Sequence, residues 1–538
     1  MNDFKPMLFS TLKGYTGQKF LRDLIAGIIV AIVALPLSIA LALASGVGPE
    51  QGLYTAIVAG FLISFFGGST VQIAGPTAAF ATIVAGIVAK NGMQGLATAT
   101  VMAGILLIIM GFLKLGKLIK YIPYTITTGF TAGIAVTILV GQLKDFFGVT
   151  YAEKPIETIE KITVFFENAA TVNWHAVIVG AVCLVILFVF PKLTKKIPAS
   201  LIAVLVGIAM VMLLPLNVNT IGDLYPDISN KLPAFVMPDL SLNSVKALFP
   251  DAFTIAILAG IESLLSCVVA DGMVNSKHRS NMELVAQGIG NMGSAMFGGI
   301  PATGAIARTA ANVDNGGRTP IAGMVHAVVL ALVLVVLMPY AKMIPMPTIA
   351  AILINVAYNM CQWKPFTKLV KKAPKSDITV LVTTFVLTVV FDLVVAIEFG
   401  LILAAALFIK RMTDEANIRK WEENNELKEV PEKTEVYELN GAMFFSVTGL
   451  LSEIMPEDET KCVILRMSTV NALDVTALRA IEEVYNRCKN RGITVVFSHL
   501  NPQPLKTFEK YGFDEIVGKE NLCENIDVAL ERAKKVAN

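Results

Sequence analysis

Long apolar stretches recur along the first three quarters of the chain, and the pattern changes after residue 412. Each stretch holds about 17–25 residues, enough to cross a lipid bilayer as a helix. Beyond them, apolar residues alternate with polar ones and Lys, Glu and Asp dominate, as in a soluble domain. We predict a cytoplasmic N-terminus over 1–21, a membrane domain over 22–412, a linker over 413–432 and a cytoplasmic domain over 433–538.

Fourteen membrane spans are predicted when short and interrupted stretches are counted. Most loop Lys and Arg residues then lie on the N-terminal side of the membrane, in the turns 114–120, 191–196, 275–279, 364–375 and 410–411. The positive-inside rule makes this side the cytoplasm, and an even number of spans returns the C-terminus to it. The predicted spans are 22–45, 53–68, 74–90, 94–114, 121–143, 174–191, 198–215, 249–271, 282–298, 302–313, 320–340, 343–361, 377–394 and 395–411.

The composition supports a membrane protein. Hydrophobic residues make up 55% and charged residues 16% of the 538 residues, whereas about a quarter of the residues of soluble domains are charged. The six cysteines lack ligand spacing, and no nucleophile–base pair or metal cluster is recognisable. We therefore predict neither an enzyme nor a cofactor, and the net charge of +2 gives no support for a nucleic-acid partner.

The motif Phe-Gly-Gly occurs twice, at 66–68 and 297–299, each time before a short, interrupted span that contains Gly, Pro and Thr. These two spans are the third and the tenth, which are corresponding positions if fourteen spans divide seven plus seven. Paired broken helices of this kind mark the binding site in transporters built from inverted repeats. Ordinary kinks in packed helices are the alternative.

A half-helix that begins near Pro76 or Thr303 would direct unpaired N–H groups and the positive end of its dipole into the membrane centre. Irregular backbone is tolerated there only where it is buried in protein or lines a cavity. Because helix N-termini bind anions, the pair predicts an anion site.

Arg308 and Glu262 are ionisable residues at predicted membrane depth, where such residues are candidates for function. Arg308 would add a permanent positive charge to the field of the helix ends, unless it lies at the cytoplasmic interface. Poor solvation favours the protonated form of a carboxyl group, so Glu262 could carry a proton or, with Ser266 on the same helical face, bind a cation. A purely structural Glu262 is the alternative.

Five stretches in order resemble the sulfate permease (SulP) family of anion transporters, whose animal members include prestin and pendrin. They are 35–40, 72–78, 129–135, 261–266 and 304–310. The resemblance covers nearly the whole chain. It implies a polytopic α-helical protein of the bacterial inner membrane, with two inverted repeats of seven spans arranged as a core and a gate domain. It also implies a homodimer.

The resemblance places the anion between the facing N-termini of the third and tenth spans. Leu41 stands where many members have Phe, so an aliphatic side chain replaces the usual aromatic contact. The coupling carboxylate and its hydroxyl partner fall at Glu262 and Ser266. Sodium-coupled members tend to carry Asp there and to lack the Arg, so a proton is expected and sodium is the alternative. The implied anion site comprises Leu41, Thr77, Ala78, Ala79, Thr303, Gly304, Ala305, Ile306, Ala307 and Arg308, with backbone N–H donors at 78–79 and 305–307.

The C-terminal domain resembles the STAS domain. Strands are predicted at 436–439, 444–447, 462–467 and 493–497, with a helix from about 471 to 490. Soluble relatives carry a phosphorylatable Ser two residues after an Asp, and that position is Thr476 here. Simple helix capping is the alternative. The resemblance implies a role in assembly or regulation and a possible cytoplasmic partner.

The leading hypothesis is secondary active transport of a small anion by alternating access and proton symport. Sulfate, bicarbonate and dicarboxylates such as fumarate all suit N–H donors and an Arg. The alternatives are a nucleobase permease of the same fold, a sodium-coupled bicarbonate transporter, an uncoupled anion channel, and a membrane receptor that signals through the STAS domain.

Overall fold

A computed structural model describes residues 2–117, 122–151, 155, 157–194, 197–391, 393–421 and 429–537. Parts of the predicted turns 114–120 and 191–196 and of the predicted linker 413–432 lie outside these residues. The chain divides into two compact units, 1–401 and 402–538. The predicted boundary, after residue 412, falls in the same helix as this division, Leu393–Glu415.

The first unit is helical. Each of the fourteen predicted spans coincides with a helix or a half-helix. The elements are α1 Met7–Thr11, α2 Gly17–Ala44, α3 Pro49–Phe66, β1 Ala74–Gly75, α4 Ala81–Phe112, α5 Tyr124–Gly141, α6 Leu143–Phe147, α7 Thr158–Glu167, α8 Trp174–Leu193, α9 Ala199–Leu213, α10 Ile221–Leu224, α11 Leu242–Val274, α12 Ser280–Met296, β2 Thr303–Gly304, α13 Ile306–Asp314, α14 Ile321–Ala341, α15 Met346–Met360, α16 Trp363–Lys372, α17 Lys375–Val390 and α18 Leu393–Glu415.

Two predicted spans, 74–90 and 94–114, join in one element, α4, which a 3₁₀ turn at Ala78–Phe80 precedes. The break between them is Gly92, whose backbone has φ 65° and ψ −173° inside the helix. Glycine adopts this conformation without the strain that a side chain would add. Within the described residues, six helices are both long and apolar enough to span a bilayer.

The helices form two groups. In the first, α12 packs against α3 and α4, α14 packs against α2 and α3, and α11 packs against α4. Glycines allow close approach here: a Cβ added at Gly104 of α4 would lie 2.6 Å from the Gly288 carbonyl oxygen of α12. In the second group, α5 packs against α17, and α15 packs against α5 and α8. These groups correspond to the expected core and gate domains.

The second unit, described by itself, is a small α/β fold. Its five-stranded sheet has the order β3-β4-β5-β6-β7, in which β3 pairs antiparallel with β4 and the remaining pairs are parallel. The elements are β3 Asn417–Lys420, β4 Thr434–Asn440, α19 Thr448–Ser452, β5 Cys462–Arg466, α20 Val475–Asn490, β6 Thr494–Ser498, α21 Pro502–Tyr511, α22 Phe513–Val517, β7 Leu522–Cys523 and α23 Ile526–Ala537.

One predicted strand, 444–447, is wrong. The segment forms a 3₁₀ turn at Phe445–Val447 and continues into α19. The amide of Phe445 donates to the carboxylate of Asp474, at 2.9 Å, which fixes a turn instead of a ladder. Three predicted strands are found within a few residues of their bounds: 436–439, 462–467 and 493–497. The helix predicted from about 471 to 490 is found as α20. The sequence pattern does not predict β3 and β7.

Candidate functional site

The two interrupted spans meet in the first unit. β1 pairs antiparallel with β2, so that Ala74 lies opposite Gly304 and Gly75 opposite Thr303. The helical backbone begins only after this pairing, at Ala78 on one side and Ile306 on the other. The starts lie two to three residues beyond the predicted positions, Pro76 and Thr303, because the residues before them are engaged in the ribbon.

Side chains from neighbouring helices hold the backbone that leads into β2. Asn291 of α12 accepts from the Ala302 amide at 2.8 Å and donates to the Ala302 carbonyl at 2.9 Å. Thr55 of α3 accepts from the Ile300 amide at 2.7 Å, and Ser294 donates to the Ile300 carbonyl at 2.7 Å. Buried backbone groups outside a helix need such partners.

The backbone that leads into β1 is held in a similar way. Glu283, fully buried in α12, accepts from the Gly68 amide at 2.8 Å and from the side chain of Gln72 at 3.1 Å. From α13, Asn312 donates to the Val71 carbonyl at 2.8 Å and Thr309 accepts from the Ile73 amide at 3.0 Å. The sequence analysis named none of these side chains; buried polar residues in an apolar helix, such as Glu283, were the available signal.

The two helix starts present unpaired amides. The first amides of a helix have no partner inside it. In the described part of the chain, the N–H groups of Ala78 and Ala79 on one side and of Ile306 and Ala307 on the other have no other partner either. Ala307 and Ile306 are exposed, Ile306 to 40%. Four amides at two helix starts are therefore without a partner; Ala78 and Ala79 are buried, and Ala79 lines a cavity.

The amides of Ala305, an implied donor, and of its neighbour Gly304 are already occupied. The amide of Ala305 donates to the Ile73 carbonyl at 2.8 Å, and that of Gly304 donates to the Ser263 hydroxyl at 3.1 Å. The expectation that Ala305 offers its N–H to the anion is therefore wrong for this conformation, because the ribbon uses it.

Arg308 is buried inside the first unit. Its side chain is 1% exposed, and Nη2 donates to the Ser38 hydroxyl and to the Pro76 carbonyl, both at 3.2 Å. Ser38 lies one turn before Leu41, and both are buried in α2. A Cβ on Gly75 would collide with Nη1 of Arg308, so glycine makes room for the guanidinium. The guanidinium thus carries its positive charge close to the helix start at Ala78, because it donates to the carbonyl of Pro76, two residues earlier.

Glu262 of α11 accepts hydrogen bonds from both interrupted segments. Its Oε2 accepts from the hydroxyls of Thr77 and Thr303, each at 2.9 Å, one from each interrupted segment. Among the described residues it forms no ion pair with Arg308. Ser266, the implied partner, is buried in α11, and its hydroxyl has no hydrogen-bond partner there. The hydroxyls on the carboxylate are those of Thr77 and Thr303.

A cavity of about 1050 Å³ leads to the first helix start. It runs between the two helix groups, from α7 and the outer ends of α5 and α17 down to Ala79. Asp251 and Thr254 of α11 line it on the same side as Lys90. The site is thus reachable from the side that carries α7, which the charge pattern predicts to be outside.

Thr476 lies in the second unit, exposed at the second position of α20. Asp474 caps this helix by accepting from the Ala477 amide at 2.7 Å. Capping is therefore the role of Asp474, and Thr476 as a phosphorylation site stays a prediction.

Comparison with known proteins decides the family. Residues 20–384 match the sulfate permease family, and residues 425–529 match the STAS domain. The chain belongs to the sulfate permease family. A putative sulfate transporter of Bacillus subtilis (strain 168), YvdB, is 42% identical over 96% of this chain and 98% of its own length. The bicarbonate transporter BicA of Synechocystis sp. (strain ATCC 27184 / PCC 6803 / Kazusa) is 30% identical over 95% of this chain and 94% of its own.

Solved structures confirm the fold class of this sulfate permease family member. The murine Solute Carrier 26 family member A9 anion transporter superposes with a TM-score of 0.88 over 99% of this chain and 94% of its own, at 18% identity, which shows the fold alone. The transmembrane domain of a cyanobacterial BicA superposes with a TM-score of 0.63 over 72% of this chain and 98% of its own, at 29% identity. The protein is a multi-pass helical membrane protein of a transporter family with a C-terminal STAS domain.

Replacement of Asn291 tests whether side chains stabilise the broken segment that leads into β2. Asn291→Ala would leave the amide and carbonyl of Ala302 unpaired, at a cost of about 1–3 kcal/mol each. We expect a clearly lower melting temperature for the purified full chain in detergent. Asn168→Ala is the control: the Asn168 side chain donates to the carbonyl of Val164, as that of Asn291 does to the carbonyl of Gln287, but Asn168 lies at the partly exposed end of α7. Equal melting of both variants and the wild type would contradict this account.

Proposed function

We propose that this protein is a secondary active transporter that moves a small anion by alternating access, coupled to proton symport. The observation that carries the proposal is the pair of broken helices, whose four amides at the helix starts next to the ribbon of β1 and β2 have no partner among the described residues. Amides at helix N-termini and a nearby positive charge replace the water that an anion loses in the membrane. Packing of the helices alone would not require amides without partners at two helix starts.

The class of substrate follows from the donors and the relatives. N–H groups and a guanidinium suit oxyanions, and the relatives named above are a putative sulfate transporter and a bicarbonate transporter. We therefore infer a small oxyanion: sulfate, bicarbonate or a dicarboxylate. In this conformation the anion would enter through the cavity that reaches Ala79, from the side opposite the cytoplasm.

Glu262 is the inferred coupling residue. Its carboxylate is bonded to one threonine of each broken segment, so a change in its protonation acts on both segments at once. α11 packs against β2, which supports a proton site next to the proposed anion site. We further infer a homodimer in the inner membrane with both termini cytoplasmic, and a STAS domain that assists assembly or regulation.

Arg308 supplies the fixed positive charge. In proteoliposomes loaded with a panel of radiolabelled sulfate, bicarbonate and fumarate, Arg308→Ala should lower uptake of the transported anion about 10- to 100-fold, as expected for the loss of one charge-assisted interaction. Arg318→Ala is the matched control, because Arg318 follows α13 and binds the carbonyls of Val313 and Gly317. Uptake by Arg308→Ala at the rate of the control would rule out this role.

Glu262→Gln separates coupling from binding. Glutamine keeps an oxygen for the hydroxyls of Thr77 and Thr303 but cannot release a proton. We expect uptake driven by an inward proton gradient to fall at least about tenfold, while thermal stabilisation by the anion persists. Asp251→Asn, on the same helix near the cavity mouth, should keep proton-driven uptake.

An inward sodium gradient provides the second arm of this experiment. If sodium and not protons drives uptake by the wild type, proton coupling is wrong. If Glu262→Gln responds to the proton gradient like the wild type, Glu262 is not the coupling residue.

A further inference from the structure

Three buried side chains behind β1 have polar atoms without partners. His326 of α14 is 0% exposed, and neither ring nitrogen has a hydrogen-bond partner in the described residues. The same holds for Nε and Nη1 of Arg308 and for the hydroxyl of Ser64 on α3. Buried polar groups in proteins are almost always hydrogen bonded, and an ordered water serves where no protein atom does. This cluster is therefore a candidate binding site for water.

The unpartnered atoms surround one short segment of backbone. A Cβ on Gly60 of α3 would lie 3.3 Å from the Ala74 carbonyl oxygen and 3.8 Å from Nδ1 of His326. A Cβ on the next ribbon residue, Gly75, would meet Nη1 of Arg308. The imidazole and the guanidinium therefore lie beside consecutive residues of β1.

We propose that a buried water site lies behind β1, in which the neutral imidazole of His326 holds the guanidinium of Arg308 through a bridging water. A neutral ring has one acceptor nitrogen, whereas guanidinium has donors only, so water can accept from Arg308 and donate to His326. A charged imidazole would place a second buried positive charge beside the first, which is costly. His326 is thus a positioning residue for Arg308.

The ring's role differs from that of the other partners of Arg308. Ser38 and Pro76 both accept from Nη2, and Nε and Nη1 have no hydrogen-bond partner in the described residues. A water held by His326 would fix Nε or Nη1, and with them the direction of the positive charge. Water-mediated hydrogen bonds are nearly as favourable as direct ones, so removing the ring's nitrogens should weaken anion binding measurably.

The transport test compares His326→Leu with His326→Gln and rests on the proposed function. His326→Leu should raise the KM for the transported anion about tenfold, the loss expected for one hydrogen bond to a charged group, and leave the pH profile of uptake unchanged. His326→Gln, which keeps an acceptor and a donor, should remain within about threefold of the wild type. His175→Leu is the control, because His175 is exposed and its ring accepts from the Asn217 amide, far from Arg308 in sequence.

A wild-type KM in His326→Leu overturns the inference, and so does equal impairment of the Leu and Gln variants, because shape rather than hydrogen bonding would then matter. Absence of uptake by the wild type would instead refute the proposed function.

A second measurement needs no transport. The full chain has four histidines, and in nanodiscs with ¹⁵N-labelled histidine the resonances lost in His326→Gln belong to His326. They should report a neutral ring between about pH 5 and 8, the range in which an unperturbed histidine titrates. A protonated ring in this range would overturn the inference even if His326→Leu fails to fold.

Discussion

Unpaired backbone in a membrane is the constraint on which this structure depends. Each unsatisfied N–H or C=O costs several kcal/mol in hydrocarbon, so a helix can be broken there only if other groups take over its hydrogen bonds. The short ribbon of β1 and β2 does part of this, and side chains of α3, α12 and α13, among them Asn291, Glu283 and Asn312, do more. Among the described residues, a small set of amides at the two helix starts stays without a partner. The proposed anion site is this part of the break, which the protein does not satisfy itself.

The two repeats are alike in backbone and different in charge. Each supplies a broken segment, a threonine bonded to Glu262 and a helix start with free amides. Of the two broken segments, only the second contains an arginine, and its guanidinium reaches the first, where it donates to the Pro76 carbonyl. Glu262 and Arg308 thus each contact both broken segments. Movement of either segment would disturb both.

The main features of the site could be predicted from the sequence because they are local. Gly and Pro interrupt apolar spans at 67–76 and 298–304, and an Arg and a Glu at membrane depth stand out against their surroundings. The family resemblance added the expectation that the amides at 78–79 and 305–307 face the ligand. It could not show that the Ala305 amide is already used, because its partner, Ile73, belongs to the other repeat and is brought near only by the ribbon.

The remaining differences have the same physical origin. The apolar alternation at 444–447 is typical of a strand, yet the carboxylate of Asp474, distant in sequence, accepts from the Phe445 amide and fixes a turn. Spacing within one helix suggested Ser266 as the partner of Glu262, whereas the hydroxyls that reach the carboxylate come from other segments. Periodicity reports which face is buried; it does not report which distant group a polar atom will meet.

The central claim is most directly tested by an experimental structure of the full chain with the anomalously scattering anions selenate and bromide. The account predicts an anomalous peak within hydrogen-bond distance of the amides of Ala79 and Ile306, in front of the Arg308 guanidinium. Ordered anomalous peaks elsewhere in the membrane unit, with these amides bonded to protein groups, would contradict it.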